Sequence, residues 1–273
     1  MDRRQLAKQL SAIENGDLQA VDSDGLVIAI TGPPGVGKSC LVDGILHRLT
    51  PKHKVAVLAV DPTSPISGGA LLGDRIRLTV LDDKTKAESI YVRSIATRSS
   101  SGSIPSIVRG LASHLLASSF DIVLIETVGA GQSEMRCAAI ANRIIVVEGP
   151  ARGDGIQAEK AGLLELADLI VVNKSDMAGS ERVVNDLTVS LTLTDDAPPI
   201  IRTSAITGEG LDELASVLMN LKERVTSRRA RARQQLLMAH ENIITQNPAF
   251  ESILDRMSEE GLVLEEALRQ LNE

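Results

Sequence analysis

The stretch Gly32-Pro33-Pro34-Gly35-Val36-Gly37-Lys38-Ser39 has the composition of a phosphate cradle. Glycines at this spacing let backbone N–H groups converge on phosphate oxygens. A helix starting here adds the positive end of its dipole, and Lys38 brings a full charge toward the β and γ phosphates. The Ser39 hydroxyl can ligate Mg²⁺. Gly35, Val36, Gly37, Lys38, Ser39 and Cys40 are therefore the expected nucleotide contacts. A chance Gly-rich turn would lack the strand pattern before this motif and the helix pattern after it.

Phosphate chemistry also needs a metal and a group for the γ-phosphate. Glu126-Thr127-Val128-Gly129 puts an acid at the tip of an apolar run. Glu126 suits a carboxylate reaching Mg²⁺ through a water, and Gly129 offers a backbone N–H to the γ-phosphate. Asp61, in Asp61-Pro62-Thr63-Ser64, and Asp74, in Leu72-Gly73-Asp74-Arg75, can reach the metal or its waters; taken alone, each also suits a helix cap or a turn. Lys38, Asp61, Asp74 and Glu126 form the expected catalytic set, and Ser39, Asp61, Asp74 and Glu126 the expected Mg²⁺ set. Arg75, Arg98 and Arg152 are candidates for charge stabilisation, though each also reads as structural or solvated. Ala130, not Gln, follows Gly129, and Gln132 comes later. With no glutamine beside the γ-phosphate glycine to orient water, slow intrinsic hydrolysis is expected, quickened when a partner orders the loops.

Asn173-Lys174-Ser175-Asp176 closes another apolar run. A carboxylate at Asp176 can accept two parallel hydrogen bonds from guanine, at N1–H and the exocyclic amine, whereas adenine presents a lone pair at N1. Asn173 can brace neighbouring loops, and the Lys174 stem can cover the base face. Ser204, Ala205 and Ile206 fall where a second base-contacting loop would lie.

These residues need strand tips to hold them. Leu26–Thr31, Lys54–Val60, Ile90–Arg93, Asp121–Glu126, Arg143–Val147, Asp168–Asn173 and Pro199–Thr203 read as buried strands, mostly continuous Val/Ile/Leu runs. Ser39–Leu49, Pro105–Ser118 and Gln157–Ala167 carry helical periodicity between them. The alternation implies an α/β P-loop fold: a doubly wound, mostly parallel sheet with helices on both faces and ligands at the strands' carboxyl ends. Residues 1–24 read as a polar lead with a helix near Arg4–Asn15, residues 25–222 as the nucleotide domain, and residues 223–273 as a C-terminal helical arm. The run Arg228-Arg229-Ala230-Arg231-Ala232-Arg233 reads as a solvated helix face with some partner contact. The arm's apolar spacing suits either closing one face of the domain or pairing two chains.

Composition agrees. The chain has 273 residues, 43% hydrophobic and 24% charged, with 1% aromatic and no Trp, so its core must be aliphatic. A net charge of −7 argues against bulk nucleic-acid or membrane-surface binding. Cys40 and Cys137 have no metal spacing and read as free thiols in a reducing cytoplasm. No run approaches transmembrane length and no apolar leader is evident, so a cytoplasmic location is expected.

In succession, Gly32–Ser39, Asp61–Pro65, Gly68–Arg75, Arg93–Arg98, Glu126–Glu134 and Asn173–Asp176 resemble the MeaB/ArgK family over about residues 25–222. The family comprises GTPases that chaperone cobalamin-dependent acyl-CoA mutases such as methylmalonyl-CoA mutase. The resemblance implies GTP and GDP as substrate and product, a homodimer built with the C-terminal arm, and gating of cofactor loading or protection of the mutase. It also implies Mg²⁺-site and catalytic roles at Lys38, Ser39, Asp61, Asp74 and Glu126, and a further switch near 153–157 with Lys160 after it. Departures are Cys40 where Thr usually stands, Arg98–Gly102, Val147–Arg152 and a shortened N-terminal extension. Of these, Arg98–Gly102 and Val147–Arg152 fall in partner-facing loops and bear on which mutase is the client. Two other readings compete. A nickel-insertion GTPase would want a His-rich tract, and the four histidines (His47, His53, His114, His240) are scattered. A nucleotide-gated scaffold with negligible hydrolysis would tolerate the missing glutamine.

Overall fold

The computed structural model describes residues 2–61, 78–96, 107–127, 132–150, 158–192, 194 and 196–272, without the side chains at 61, 132–134, 158–161 and 272. Its strands are β1 (Leu26–Thr31), β2 (Val55–Asp61), β3 (Ile90–Ala96), β4 (Ile122–Glu126), β5 (Arg143–Glu148), β6 (Leu169–Val172) and β7 (Ile200–Arg202). They pair in the order β3-β2-β4-β1-β5-β6-β7, in parallel throughout. The helices are α1 (Arg3–Asn15), α2 (Lys38–Leu49), α3 (Lys84–Ala87), α4 (Ile107–Ala117), α5 (Gln132–Ile140), α6 (Ala158–Leu166), α7 (Ser180–Leu191), α8 (Leu211–Met219), α9 (Val225–Thr245), α10 (Phe250–Glu259) and α11 (Leu264–Asn272). This is the P-loop fold expected from the alternating pattern.

Strand periodicity divides the interior into two cores. Ile28 and Ile30 of β1, with Leu124 of β4 and Val147 of β5, meet Leu41, Ile45 and Leu46 of α2 and Leu214 and Leu218 of α8. Val27, Ala29, Val123, Ile125 and Val146 point the other way, toward α1, α4, α5, α6 and α7. With two faces buried and Tyr91 with Phe120 forming the one ring contact among the described residues, aliphatic packing supplies the core. Because β1 lies between β4 and β5, the chain leaves the centre of the sheet in opposite directions. The resulting crevice at the carboxyl ends receives the loop after β1.

Two elements differ from expectation. β3 runs on to Ala96 rather than stopping at Arg93. Half-buried Arg93 and Ser94 interrupt the apolar run, yet the ladder continues through the Val60–Ile95 and Asp61–Ala96 pairs. The N-terminal lead is less polar than it reads, because Leu6, Leu10 and Ile13 of α1 are buried in the same core as Leu111 and Leu115 of α4. Arg93 ties α1 to β3 through Glu14 and a 3.1 Å bond to Ser11 Oγ.

The arginine run requires a correction. Arg228, Arg229 and Arg233 are exposed as a solvated face should be, but Arg231 is only 3% exposed. Helical spacing brings Arg224, Ser227 and Arg231 to one side of α9, facing the buried Asp168 before β6. Asp168 Oδ2 accepts from Arg231 Nη1 at 2.6 Å and from the Ile144 amide at 2.9 Å. Its Oδ1 accepts from Ser227 Oγ at 3.0 Å, the Arg224 amide at 3.0 Å and Arg231 Nη2 at 3.2 Å. Glu223 also pairs with Arg231 at 3.1 Å. Burial lowers the pKa of Arg224, an effect partly offset by Asp196 and Asp168. Downstream, α9 lies on α5 and α6, with Ala230 and Met238 against the core and Arg136 of α5 paired to Glu241 at 2.8 Å.

Both cysteines are free, Cys40 exposed and Cys137 buried. Among the described residues, no helix is long and apolar enough to cross a membrane.

Two expectations follow from these contacts. Asp168→Asn removes one partner of a buried ion pair and should lower unfolding free energy by roughly 3 kcal/mol in urea titration. It should leave GTP affinity nearly unchanged, because Asp168 sits at the end of β6 opposite Asn173. The second concerns His114, which is buried between α1 and the segment after it. The Val21 amide points to its Nδ1 at 3.4 Å, and Gln9 Oε1 lies 3.3 Å from Nε2. Burial lowers its pKa, so below about pH 6.5 the unfolded chain binds the extra proton more readily than the folded one. The His114 contribution to stability should be constant above that pH and fall as the pH drops toward the depressed folded-state pKa. Urea midpoints compared with those of His114→Gln, which lacks the titration, check this.

Candidate functional site

The loop after β1 is shaped by how closely its neighbours approach. A Cβ at Gly32 would lie 2.1 Å from the Val147 carbonyl oxygen, so the loop leaves β1 hard against β5 and only glycine fits. Gly37, at φ +93, caps α2; a Cβ there would lie 2.6 Å from Asn173 Nδ2. Lys38 is buried, with Nζ donating to the carbonyls of Gly32 at 2.7 Å and Pro33 at 3.1 Å. It thus lies folded over the loop whose amide groups would face phosphate. Val36 is buried, while Gly35 and Cys40 are exposed.

Ser39, at the first turn of α2, reaches across to β4, where its Oγ donates to Glu126 Oε1 at 2.6 Å. Glu126 is 8% exposed. Behind this pair, Thr127 Oγ1 donates to Thr31 Oγ1 at 2.8 Å, and the Thr127 amide bonds Ile30 O at 3.1 Å. The hydroxyl and carboxylate are hard oxygen donors at a crevice mouth, the ligand type of an ion that takes most of its shell from water and phosphate. Among the described residues, no group of three or more His, Cys, Asp or Glu side chains forms a self-sufficient metal site. The backbone of Asp61 ends β2, beside β4; its side chain lies outside the described residues. Asp74, Arg75, Arg98, Gly129, Arg152 and the 153–157 segment also lie outside them, as does the Lys160 side chain.

The group expected to read the base is hydrogen-bonded directly to the loop after β1. Asn173 is 1% exposed, and its Nδ2 donates to Val36 O at 2.9 Å. Its Oδ1 accepts from the Ala205 amide and Thr203 Oγ1, each at 3.2 Å. Lys174 holds φ +63, an uncommon conformation for a side-chain-bearing residue, and sends Nζ to Gly35 O at 2.7 Å. Ser204 Oγ donates to Asp176 Oδ1 at 2.5 Å, leaving the carboxylate's remaining lone pairs for a base. Ile206 is 85% exposed. The tips of β6 and β7 and the loop after β1 therefore form one hydrogen-bonded unit. Sequence reading missed Thr203; its signal was a hydroxyl just before Ser204-Ala205 at a strand end. It also missed Glu209, whose Oε2 accepts from Ser175 Oγ at 2.9 Å.

The family model described as "Methylmalonyl Co-A mutase-associated GTPase MeaB" matches residues 6–260, a wider span than the motifs alone covered. The chain belongs to the MeaB family. It is a GTPase of that family, and that activity implies binding of GTP and GDP. A Pyrococcus horikoshii relative named as a GTPase is 38% identical over 230 residues, 78% of this chain and 72% of the relative. GTPase ArgK of Escherichia coli is 34% identical over 221 residues, 77% of this chain and 66% of that protein. The mouse mitochondrial methylmalonic aciduria type A homolog is 36% identical over 196 residues, 68% of this chain and 46% of the relative. A crystal structure of an LAO/AO transport system kinase shares the fold at TM-score 0.58, with 24% identity, covering 97% of this chain and 85% of its own. HypB from Helicobacter pylori in complex with nickel does so at 0.53, with 18% identity, covering 80% and 93%.

Gly37→Ala sets a methyl group against the Asn173 amide in a backbone conformation unfavourable to alanine. It should lower stability by at least about 1 kcal/mol. It should also weaken GDP binding relative to wild type, as read by calorimetry.

Proposed function

We propose that this MeaB-family GTPase uses its nucleotide state to chaperone a cobalamin-dependent acyl-CoA mutase, gating cofactor loading or protecting the mutase. The observation that carries the nucleotide-binding part of the reading is the Asn173 brace, which bonds the loop after β1 to the loop after β7. The partner class is supported by the family's description and by the mouse relative's name.

In this reading Lys38 exchanges its loop carbonyls for the β and γ phosphates, and loop amides from Gly35 to Ser39 hold the phosphate oxygens. Asp176, steadied by Ser204, accepts the guanine N1–H and exocyclic amine, and Lys174 covers the base. Ser39 and Glu126 would hold Mg²⁺, directly and through water, with Asp61 and Asp74 completing the set; the ion would neutralise charge on the phosphates. Gly129 donates to the γ-phosphate, and Cys40, Ala205 and Ile206 line the nucleotide. No glutamine stands beside Gly129, so water is oriented poorly until a partner orders the loops around it. The exposed Leu236, Leu237 and Ile243 of α9 and Leu268 of α11 support pairing of two chains through the arm.

Two measurements test the proposal together. Calorimetry should detect GTP and GDP but not ATP. Phosphate release should be slow alone and rise several-fold when a cobalamin-dependent acyl-CoA mutase is added. Equal rates with and without every such mutase tried would overturn the chaperone reading.

A further inference from the structure

Beyond the Asp176 carboxylate itself, a second acid reaches the base-reading tip. Glu209 lies in the loop between β7 and α8 and is exposed, yet its position is tightly determined. Its backbone carbonyl accepts from the Ser204 amide at 3.0 Å, and the Gly208 amide bonds Ser204 O at 2.8 Å. The Thr207 amide bonds Ser204 Oγ at 3.2 Å, so the hydroxyl that steadies Asp176 is itself held from within this ring. Arg48 of α2 clamps the ring from outside, donating to Gly208 O at 3.4 Å and pairing with Asp212 at 2.9 Å. A Cβ at Gly210 would lie 2.0 Å from Arg202 O, so the loop closes directly onto β7.

From that rigid base the Glu209 carboxylate accepts the Ser175 hydroxyl. The Ser175 amide already bonds Thr203 O at 2.9 Å. Ser175 is thus held at its amide by Thr203 just past β7, at its carbonyl by Ser180 Oγ at 3.1 Å and at its side chain by Glu209, between the left-handed Lys174 and the base-reading Asp176. Remove the side-chain hold and only the two backbone bonds of Ser175 fix the peptide ahead of Asp176, which leaves it freer to tilt. Its carboxylate then loses the alignment that two parallel bonds to one base edge require.

We propose that Glu209 is a specificity-determining positioning residue: through Ser175 it sets the angle at which Asp176 meets the purine edge. The inference rests on Asp176 being the base reader. It concerns discrimination among purines, not phosphate binding, because Lys38 and the glycine loop make no contact with Glu209 among the bonds above.

The full chain, titrated with GDP and with inosine diphosphate, tests it. The inosine base lacks the 2-amino group, so the affinity ratio of the two reads the second bond to Asp176. Glu209→Ala should reduce the GDP preference about fivefold, the net size of one ordinary protein hydrogen bond. Glu209→Gln keeps an acceptor oxygen and should stay within about twofold of wild type. Ser175→Ala should reproduce Glu209→Ala, and the double variant should be no worse than either single one. Equal weakening of both nucleotides, or losses that add in the double variant, would overturn the inference. Should Glu209→Ala fail to fold, Ser175→Ala carries the same test. Asp176→Asn separates the two layers: its amide can donate to the 2-carbonyl of xanthine, so preference should pass from GDP to xanthosine diphosphate. Failure of that exchange removes the base-reader assignment, and Glu209's role with it. A successful exchange alongside an unchanged ratio in Glu209→Ala removes the Glu209 role alone.

Discussion

Most of the nucleotide crevice depends on one buried amide. Asn173 has a donor for the phosphate loop and an acceptor for the loop after β7, and it spends both on backbone or hydroxyl partners away from water. An unsatisfied amide at 1% exposure would cost a large share of the folding free energy. The three loops therefore have one joint arrangement in which all are satisfied, and few others. Gly37 is the concession that makes it possible, since any side chain there would fill the space of the amide. Because the brace is made by the protein alone, the site is organised before ligand arrives, which reduces the ordering cost of binding.

The same short strand carries a second anchor at its other end. Asp168 gathers two side chains from α9, one backbone amide from the turn before it and one from β5, so the root of the C-terminal arm is bolted to the base of β6. Above that root, α9 lies along α5 and α6, the helices that follow β4 and β5, and Arg136 pairs with Glu241 across the contact. The arm is continuous with the sheet at its start and with the helices behind the phosphate crevice along its length. It also leaves Leu236, Leu237 and Ile243 facing outward. Both readings of the arm, as a cover and as a pairing surface, thus find residues on different sides of one helix.

Much was legible in the residue string because its causes are local. Glycine spacing, a Lys-Ser pair at a helix start and acids at strand tips announce phosphate chemistry wherever they occur, and continuous Val/Ile/Leu runs announce a sheet buried on both faces. The strand runs matched the observed elements to within one residue at each end. The exception was β3, where Arg93 and Ser94 break the apolar run that the ladder to β2 carries onward. Leu6, Leu10 and Ile13 were equally visible as letters, but a short helix among polar residues gives no sign of the face awaiting it on α4.

By itself, then, the sequence determined the fold class and the elements that bear the candidate residues: a P-loop, acids at strand tips, an aliphatic parallel sheet. Tertiary structure decided the partners. Arg231 sits in a run of arginines indistinguishable by type from its exposed neighbours, and only the docking of α9 against β6 turns it inward to Asp168. Glu209 and Thr203 look like ordinary loop and strand-end residues until β6 and β7 lie side by side. Residue type limits which bonds a group can make, but long-range packing chooses among them, because a donor and acceptor far apart in the chain meet only when the sheet has formed.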